Sequence, residues 1–398
     1  MRRPELTTKD VARLAPLTSE LSRAYNTAQA EGRRTKLPLE ARIAFSFPRD
    51  VPKGAVAVRE LVASGVLELP ADRPLRVLDL GAGLGAMTWG LVRALVASGA
   101  SGRVEALLVD EDEEVLRKAA EIGRAARSVL GESSIDLTIE TRAASLGSVS
   151  SAEQARSWLR PRDVVLLGQV LSEIDPRAEP EARLEGQTAL VKQLLDTAVA
   201  QDGALVIVEP ALRERTRHLH GLRDRLLETT AATVFAPCLH AGSCPMLPIE
   251  TEWCHEDLPV DLPSWMVPLA RAAGLRWQGL TFSYLVLRKD GKLPASRTGD
   301  RATQVRFRTV SDLLVSKGKA ELFVCDEDGV RRRIRQLDRD ADAGRGIPFV
   351  DLRRGDIVTL SAAAGEEPGA AATGAPIDER GRVVPGAHVA IDVAAARK

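Results

Sequence analysis

Val77-Leu78-Asp79-Leu80-Gly81-Ala82-Gly83-Leu84-Gly85 runs from an apolar stretch through a carboxylate into three glycines, each two residues from the next. The apolar half has the composition of a buried strand, and the glycines have a physical task at its end. They allow a tight turn without a Cβ, let the backbone approach a bound ligand, and open a helix whose first N–H groups are free to face it. The next apolar run ends at Val109-Asp110-Glu111, where a carboxylate can accept hydrogen bonds from both hydroxyls of a ribose. Glycine loop and distal acid together predict a nucleotide-type site at the first strand of a parallel sheet. The dinucleotide fingerprint Gly-x-Gly-x-x-Gly is not met, because position 86 is alanine, and Asp79 just ahead of the glycines also points away from a nicotinamide dinucleotide.

Outward from this stretch, short apolar runs alternate with helical ones, the pattern of a parallel sheet flanked by helices. Strands are predicted at 76–80, 104–109, 135–140, 163–167, 204–209, 276–279 and 284–288, with helices at 113–130, 179–200, 212–228 and 264–273 between them. Ahead of the sheet, Val11, Leu14, Leu17, Leu21 and Tyr25 recur at helical spacing, and a second helix is predicted over 55–64. Arg33, Arg34 and Lys36 between them read as a solvated loop. Residues 1–70 are therefore taken as a helical segment and 71–295 as the α/β domain. From Gln304 to Leu360 the pattern changes to short strands at 305–310, 319–325, 332–336 and 356–360, which predicts a small β-barrel-like module over 300–360. It is locally basic, with Arg306, Arg308, Lys317, Lys319, Arg331-Arg332-Arg333, Arg335 and Arg353-Arg354. Such a face suits an oligonucleotide-binding barrel or a merely solvated surface. Alanine, glycine and proline dominate 361–398, where a disordered tail is expected.

The chain has 398 residues, with Lys plus Arg equal to Asp plus Glu at 55 each. Whole-protein attraction to nucleic acid is therefore excluded, and any such contact needs a local patch. No stretch has the apolar length of a membrane span, and the start lacks a transit-peptide composition, so a cytoplasmic protein is expected.

All four cysteines fall into one constellation, Cys238-x5-Cys244-x9-Cys254 with Cys325 later. Soft sulfur ligands at such spacing suit zinc or an iron–sulfur cluster. The turn-forming residues of Pro237-Cys238-Leu239-His240-Ala241-Gly242-Ser243-Cys244-Pro245 let the backbone fold round a metal, and His240 and His255 are spare ligands. The first three cysteines lie in an insertion at about 230–260, and the fourth lies in the β-module.

Asp-Leu-Gly-x-Gly-x-Gly resembles the first motif of class I S-adenosylmethionine-dependent methyltransferases. That likeness implies that Asp79, Gly81, Gly83 and Gly85 line the cofactor and that Asp110 binds its ribose. Asp163-Val164-Val165-Leu166-Leu167-Gly168-Gln169-Val170-Leu171-Ser172-Glu173-Ile174 takes the place of the fourth strand, where Gln169 is assigned to the cofactor and Ser172 and Glu173 face the same region. It lacks the Asn/Asp-Pro-Pro-aromatic motif of amino-methylating enzymes, and no free cysteine serves as a nucleophile, so no catalytic residue is assigned.

With Val208-Glu209-Pro210-Ala211 and Trp253-Cys254-His255 added, the order of motifs resembles the mitochondrial small-ribosomal-subunit methyltransferase-like family and its bacterial relatives over about 10–360. The resemblance implies a [4Fe–4S] cluster on Cys238, Cys244, Cys254 and Cys325. It also implies action on small-subunit rRNA, of 16S type, or on subunit assembly and translation, by a protein that is monomeric off the ribosome. Two alternatives share these residues: a non-catalytic RNA-binding assembly factor with a vestigial pocket, and a zinc-stabilised methyltransferase of a non-RNA substrate.

Overall fold

The strand that ends in the glycine loop, β1 (Leu75–Leu80), lies in the middle of a parallel array with β2 (Gly102–Asp110), β3 (Ile135–Ala143), β4 (Arg162–Gly168) and β5 (Val199–Pro210). The computed structural model describes residues 5–31, 38–130, 134–146, 158–293, 302–343, 345–362 and 374–395. Three further strands complete the sheet: β6 (Thr233–Ala236), β7 (Glu256–Leu258) and β8 (Leu280–Arg288). Its order is β3-β2-β1-β4-β5-β8-β6, with β7 also on β8, and β8 runs antiparallel to β5. This is the strand order of the class I methyltransferase fold. The chain order reverses between β1 and β4, which opens a crevice at the carboxyl ends of those strands.

Alternate residues of each central strand serve opposite faces. Val77, Val164, Leu166 and Val206 pack under helices Phe47–Ala57, Ala86–Ala97 and Val267–Ala272. Leu78, Val165, Leu167 and Ile207 pack under helices Pro180–Thr197 and Arg213–Thr229. Burial on both faces explains why these strands read as continuous apolar runs. No helix among the described residues is long and apolar enough to cross a membrane.

The structure differs from the sequence expectations in several places. Helix Thr8–Glu31 forms as expected, but, after the short turns Leu39–Ala41 and Arg42–Ser46, the helix expected over 55–64 is divided between Phe47–Ala57 and Arg59–Ala63. Both put Val56, Ala57 and Leu61 into the core of the sheet domain, so the N-terminal segment shares that core. The strand expected at 276–279 is absent, because the positive φ of Gly279 turns the chain into β8 only at Leu280. The basic cluster Arg33, Arg34 and Lys36 lies outside the described residues.

A second sheet holds β9 (Gln304–Thr309), β10 (Leu314–Ser316), β11 (Lys319–Asp326), β12 (Arg331–Leu337), β13 (Arg345–Gly346), β14 (Ile357–Ser361) and β15 (His388–Val393). Its order, β10-β11-β9-β14-β15-β13 with β12 on β11, does not close through these strands, so the described module is an open sheet rather than the expected barrel. The expectation of a disordered tail fails over 374–395. There β15 pairs with β14 and buries Val389 beside Val383 and Ala387, apolar residues spaced too widely in a glycine- and proline-rich segment to register as a strand.

Candidate functional site

The carboxyl ends of β1, β2 and β4 open into a cleft of about 1240 Å³ lined by Asp79, Gly81, Gly83, Asp110 and Gln169, five of the six positions expected to meet a cofactor. Gly85 is the exception. It takes φ 83 as the first residue before helix Ala86–Ala97, and a Cβ there would lie 2.8 Å from Leu108 Cδ2. Its place is in packing the turn, between Leu84 and Ala86, which do line the cleft. Gly81 and Gly83 also have positive φ, of 64 and 53, and bring bare backbone to the cleft wall. A Cβ on Gly83 would meet the Arg42 guanidinium at 2.8 Å, so that arginine, from the π-helical turn Arg42–Ser46, lies across the loop.

Asp79 is 1% exposed. Its Oδ2 accepts from the N–H (3.2 Å) and hydroxyl (2.8 Å) of Thr88, whereas its buried Oδ1 has no hydrogen-bond partner. Burial pushes its pKa up to about 7 against the pull of Thr88. Asp110 bridges the loop instead: its Oδ2 accepts the Gly83 N–H (2.8 Å) and its Oδ1 the Asp112 N–H (3.0 Å). An orphaned carboxylate oxygen beside two Cβ-free residues fits a ligand that carries a cationic amino group and a ribose.

Gln169 leaves β4 with a φ of 61, a left-handed conformation that costs a residue with a Cβ about 1–3 kcal/mol. It is held there by its own N–H on Val208 O (2.6 Å) and by Nε2 donating to Asp50 Oδ2 (2.8 Å). Asp50 in turn pairs with Lys53 Nζ at 2.7 Å, and Lys53 is only 3% exposed. Burial lowers the Lys53 pKa while Asp50 opposes that shift. Sequence reasoning missed both residues. They arrive on helix Phe47–Ala57, which reaches the cleft because Gly54 and Gly90 let two helix backbones touch: a Cβ on Gly90 would sit 2.6 Å from Ala55 N. Ser172 and Glu173 also line the cleft. The Ser172 N–H and the Leu171 N–H are accepted by Glu209, 3% exposed, so this acid secures the turn after β4.

A separate cavity of about 50 Å³ lies between the two sheets, and all four cysteines line it, with His240, His255, Arg223 and Arg308. The loop between β6 and β7 brings three thiols, and β11 brings Cys325. Cys244, Met246 and Val310 form a small apolar cluster there, with Cys254 and Cys325 packed on it. Burial and the neighbouring sulfurs push the Cys244 thiol up to about 11 and raise those of Cys254 and Cys325 further. The four thiols are free, and among the described residues no three His, Cys, Asp or Glu side chains are drawn together as a metal-ligand group.

The basic residues expected on one face of the β-module are divided between buried internal pairs and exposed surface positions. Arg306 is 5% exposed and pairs with Asp392 and Glu327, and Arg308 is 3% exposed and pairs with Glu60. Arg331 lies over the Phe323 ring, and Arg332 and Arg333 pair with Asp326 and Glu321.

The family model of the mitochondrial small ribosomal subunit protein Rsm22 matches residues 44–343, about three quarters of the 398-residue chain. This chain belongs to the Rsm22 family. The match takes in the glycine loop, the insertion and all four cysteines, so the thiol cavity of this Rsm22-family protein lies inside it, as does the cleft apart from the wall that Thr18, Leu21 and Arg42 supply. No curated protein sequence matches the chain. Among solved structures, the plantazolicin methyltransferase BpumL in complex with SAH shares 12% identity at a TM-score of 0.35, covering 70% of this chain and 98% of its own. A Leishmania major SAM-dependent methyltransferase shares 15% at 0.32, covering 66% and 82%. A putative class I S-adenosylmethionine-dependent methyltransferase from Listeria monocytogenes shares 14% at 0.33, covering 70% and 71%. Superpositions this loose add nothing to the strand order already described.

Proposed function

We propose that this Rsm22-family chain binds S-adenosylmethionine in the large cleft and acts on the small ribosomal subunit, on its rRNA or its assembly. A [4Fe–4S] cluster on Cys238, Cys244, Cys254 and Cys325 would join the two sheets. The observation that carries the cofactor reading is the buried, partnerless Oδ1 of Asp79 beside Gly81 and Gly83. Asp79 is suited to hold the ammonium of the amino-acid end. Asp110, at the end of β2, is suited to take ribose hydroxyls in exchange for the Gly83 N–H it accepts at 2.8 Å. S-adenosylmethionine, when bound, supplies an electrophilic methyl group. The protein's share is to seat that ligand and to keep water from its buried end.

Four cysteines from two units round one apolar cavity support the metal reading, since the chemistry of the donor set is that of a thiolate-bound zinc or iron–sulfur centre. A cytoplasmic protein that is monomeric off the ribosome completes the proposal. The test has three arms. Calorimetry with S-adenosylmethionine and S-adenosylhomocysteine is expected to show one site that Asp79→Ala weakens. Gradient sedimentation is expected to place the protein with small-subunit particles. Anaerobically purified protein is expected to carry iron and sulfide; a colourless protein with one zinc would replace the cluster by zinc. Failure of both cofactor and particle binding would sink the functional reading.

A further inference from the structure

The loop that carries Cys238 and Cys244 has its shape imposed by two neighbouring residues of helix Arg213–Thr229. Arg223, 2% exposed, donates from Nη1 to Gly242 O (2.6 Å) and from Nη2 to His240 O (2.7 Å), so a single guanidinium fork holds two loop carbonyls. The same Nη1 meets Asp224 Oδ1 at 2.5 Å, and the Asp224 carboxylate accepts the Cys244 N–H at 2.9 Å. Arg223 Nη2 also lies 3.4 Å from His240 Nδ1, and on the far side of that ring Nε2 lies 3.6 Å from Cys325 Sγ. His240 fits against the β-module because the turn after Cys325 ends in Gly329, φ 75, where a Cβ would come within 2.8 Å of Nδ1. One polar chain, Asp224 to Arg223 to His240 to Cys325, therefore crosses from the methyltransferase-like sheet to the second module. One donor on it is unused: Arg223 Nε is buried without a hydrogen-bond partner, and Arg223 lines the cavity of the four thiols.

We propose that Asp224, Arg223 and His240 form a preassembled outer shell that sets the cysteine loop and Cys325 for a metal–thiolate centre, with the spare Nε–H of Arg223 as a donor to a coordinated sulfur. This rests on the reading of the four cysteines as ligands. Outer groups of this kind fix ligand orientation, and N–H donors to sulfur raise the reduction potential of a cluster. A planar fork is required, because the three donors of a lysine ammonium leave one nitrogen and would be used up on two carbonyls and a carboxylate, with no N–H left for a sulfur. Arg223, Asp224 and His240 are positioning residues, since none needs to bind the metal.

The experiment uses the full chain, first without metal and then after anaerobic reconstitution with iron and sulfide. Hydrogen exchange on the metal-free protein is expected to show a slow Cys244 amide that becomes fast in Asp224→Ala, a readout that no metal can influence. Arg223→Lys, which keeps charge and most of the volume, is expected to lower metal affinity by about 10-fold or more. The cluster it retains is expected to have a more negative midpoint potential. Arg225→Met, on the exposed side of the same helix, is expected to match the wild type in both. S-adenosylhomocysteine binding and circular dichroism report folding, and His240→Ala offers a milder variant if Arg223→Lys does not fold. An Arg223→Lys or His240→Ala protein that loads like the wild type with an unshifted potential overturns the outer shell, as does a fast Cys244 amide in the wild type. A wild type that holds neither cluster nor zinc while its Cys244 amide is slow overturns the ligand reading beneath it.

Discussion

Asp79 carries more of the cleft's chemistry than its motif suggests. Its pKa of about 7 lies well above the ordinary 3.8, so between those values the folded chain keeps a proton that the unfolded chain has released. Stability contributed by the protonated acid is thus present at low pH and declines as pH rises from about 4 to 7. Urea unfolding of ligand-free protein should show the wild type losing stability over that window relative to Asp79→Asn, which has no proton to release. A cationic amino group beside Oδ1 would favour the ionised form, so affinity for S-adenosylmethionine should fall as pH drops below 7, by up to about 10-fold per unit. Calorimetry at several pH values checks this, and the dependence should be flat in Asp79→Asn. The motif placed Asp79, Gly81 and Gly83 because strand, turn and helix are local. Asp50 and Lys53 have no such local signature, since only the contact of Gly54 and Gly90 brings their helix to the cleft.

At the scale of elements, the parallel strands were legible because two-sided burial writes itself as continuous valine and leucine. β6 and β7 were not, being four and three residues long and defined only by pairing with β8. They matter because they pin both ends of the cysteine loop to the sheet. β15 was hidden for another reason: its burial pattern is broken, with only Val389 fully inside, and it is held by the backbone ladder to β14. Truncation after Ala362 should strip Val383, Ala387 and Val389 from the second core and leave Phe307 and Leu360 exposed. Limited proteolysis is expected to cut this shortened protein within 302–362 while the first sheet stays resistant. Resistance equal to that of the full chain would show that β15 is dispensable.

Across the whole molecule, the two sheets meet at Arg308. Burial opposes its charge, yet Glu60, Tyr284 and Glu256 hold its pKa above the usual arginine value. Its guanidinium donates to Glu60 (2.6 Å), Pro237 O (2.5 Å) and Gly355 O (2.9 Å), and the Tyr284 hydroxyl donates to the same Glu60 (2.9 Å). N-terminal helix, first sheet, cysteine loop and second module are thus tied at one buried cation. Arg308→Met takes from the buried Glu60 its 2.6 Å ion pair and leaves it the Tyr284 hydroxyl and Arg59 at 3.8 Å, and should destabilise the protein by about 3–5 kcal/mol. Glu60→Gln with Arg308→Met should recover part of that loss in urea unfolding, because only Glu256 then remains of the two buried carboxylates that Arg308 neutralised. From sequence, Arg308 looked like one member of a basic surface, and Cys325 like a distant fourth cysteine. The parallel sheet, the glycine loop and the set of thiols are legible in the chain alone, since each is written in short-range periodicity or in residue type. Only the tertiary structure decided which charges face solvent and which are consumed in pairs, and which helix completes the cleft. Those depend on contacts between residues far apart in the chain, such as Glu60 with Arg308 and Asp50 with Gln169, and no local pattern encodes them.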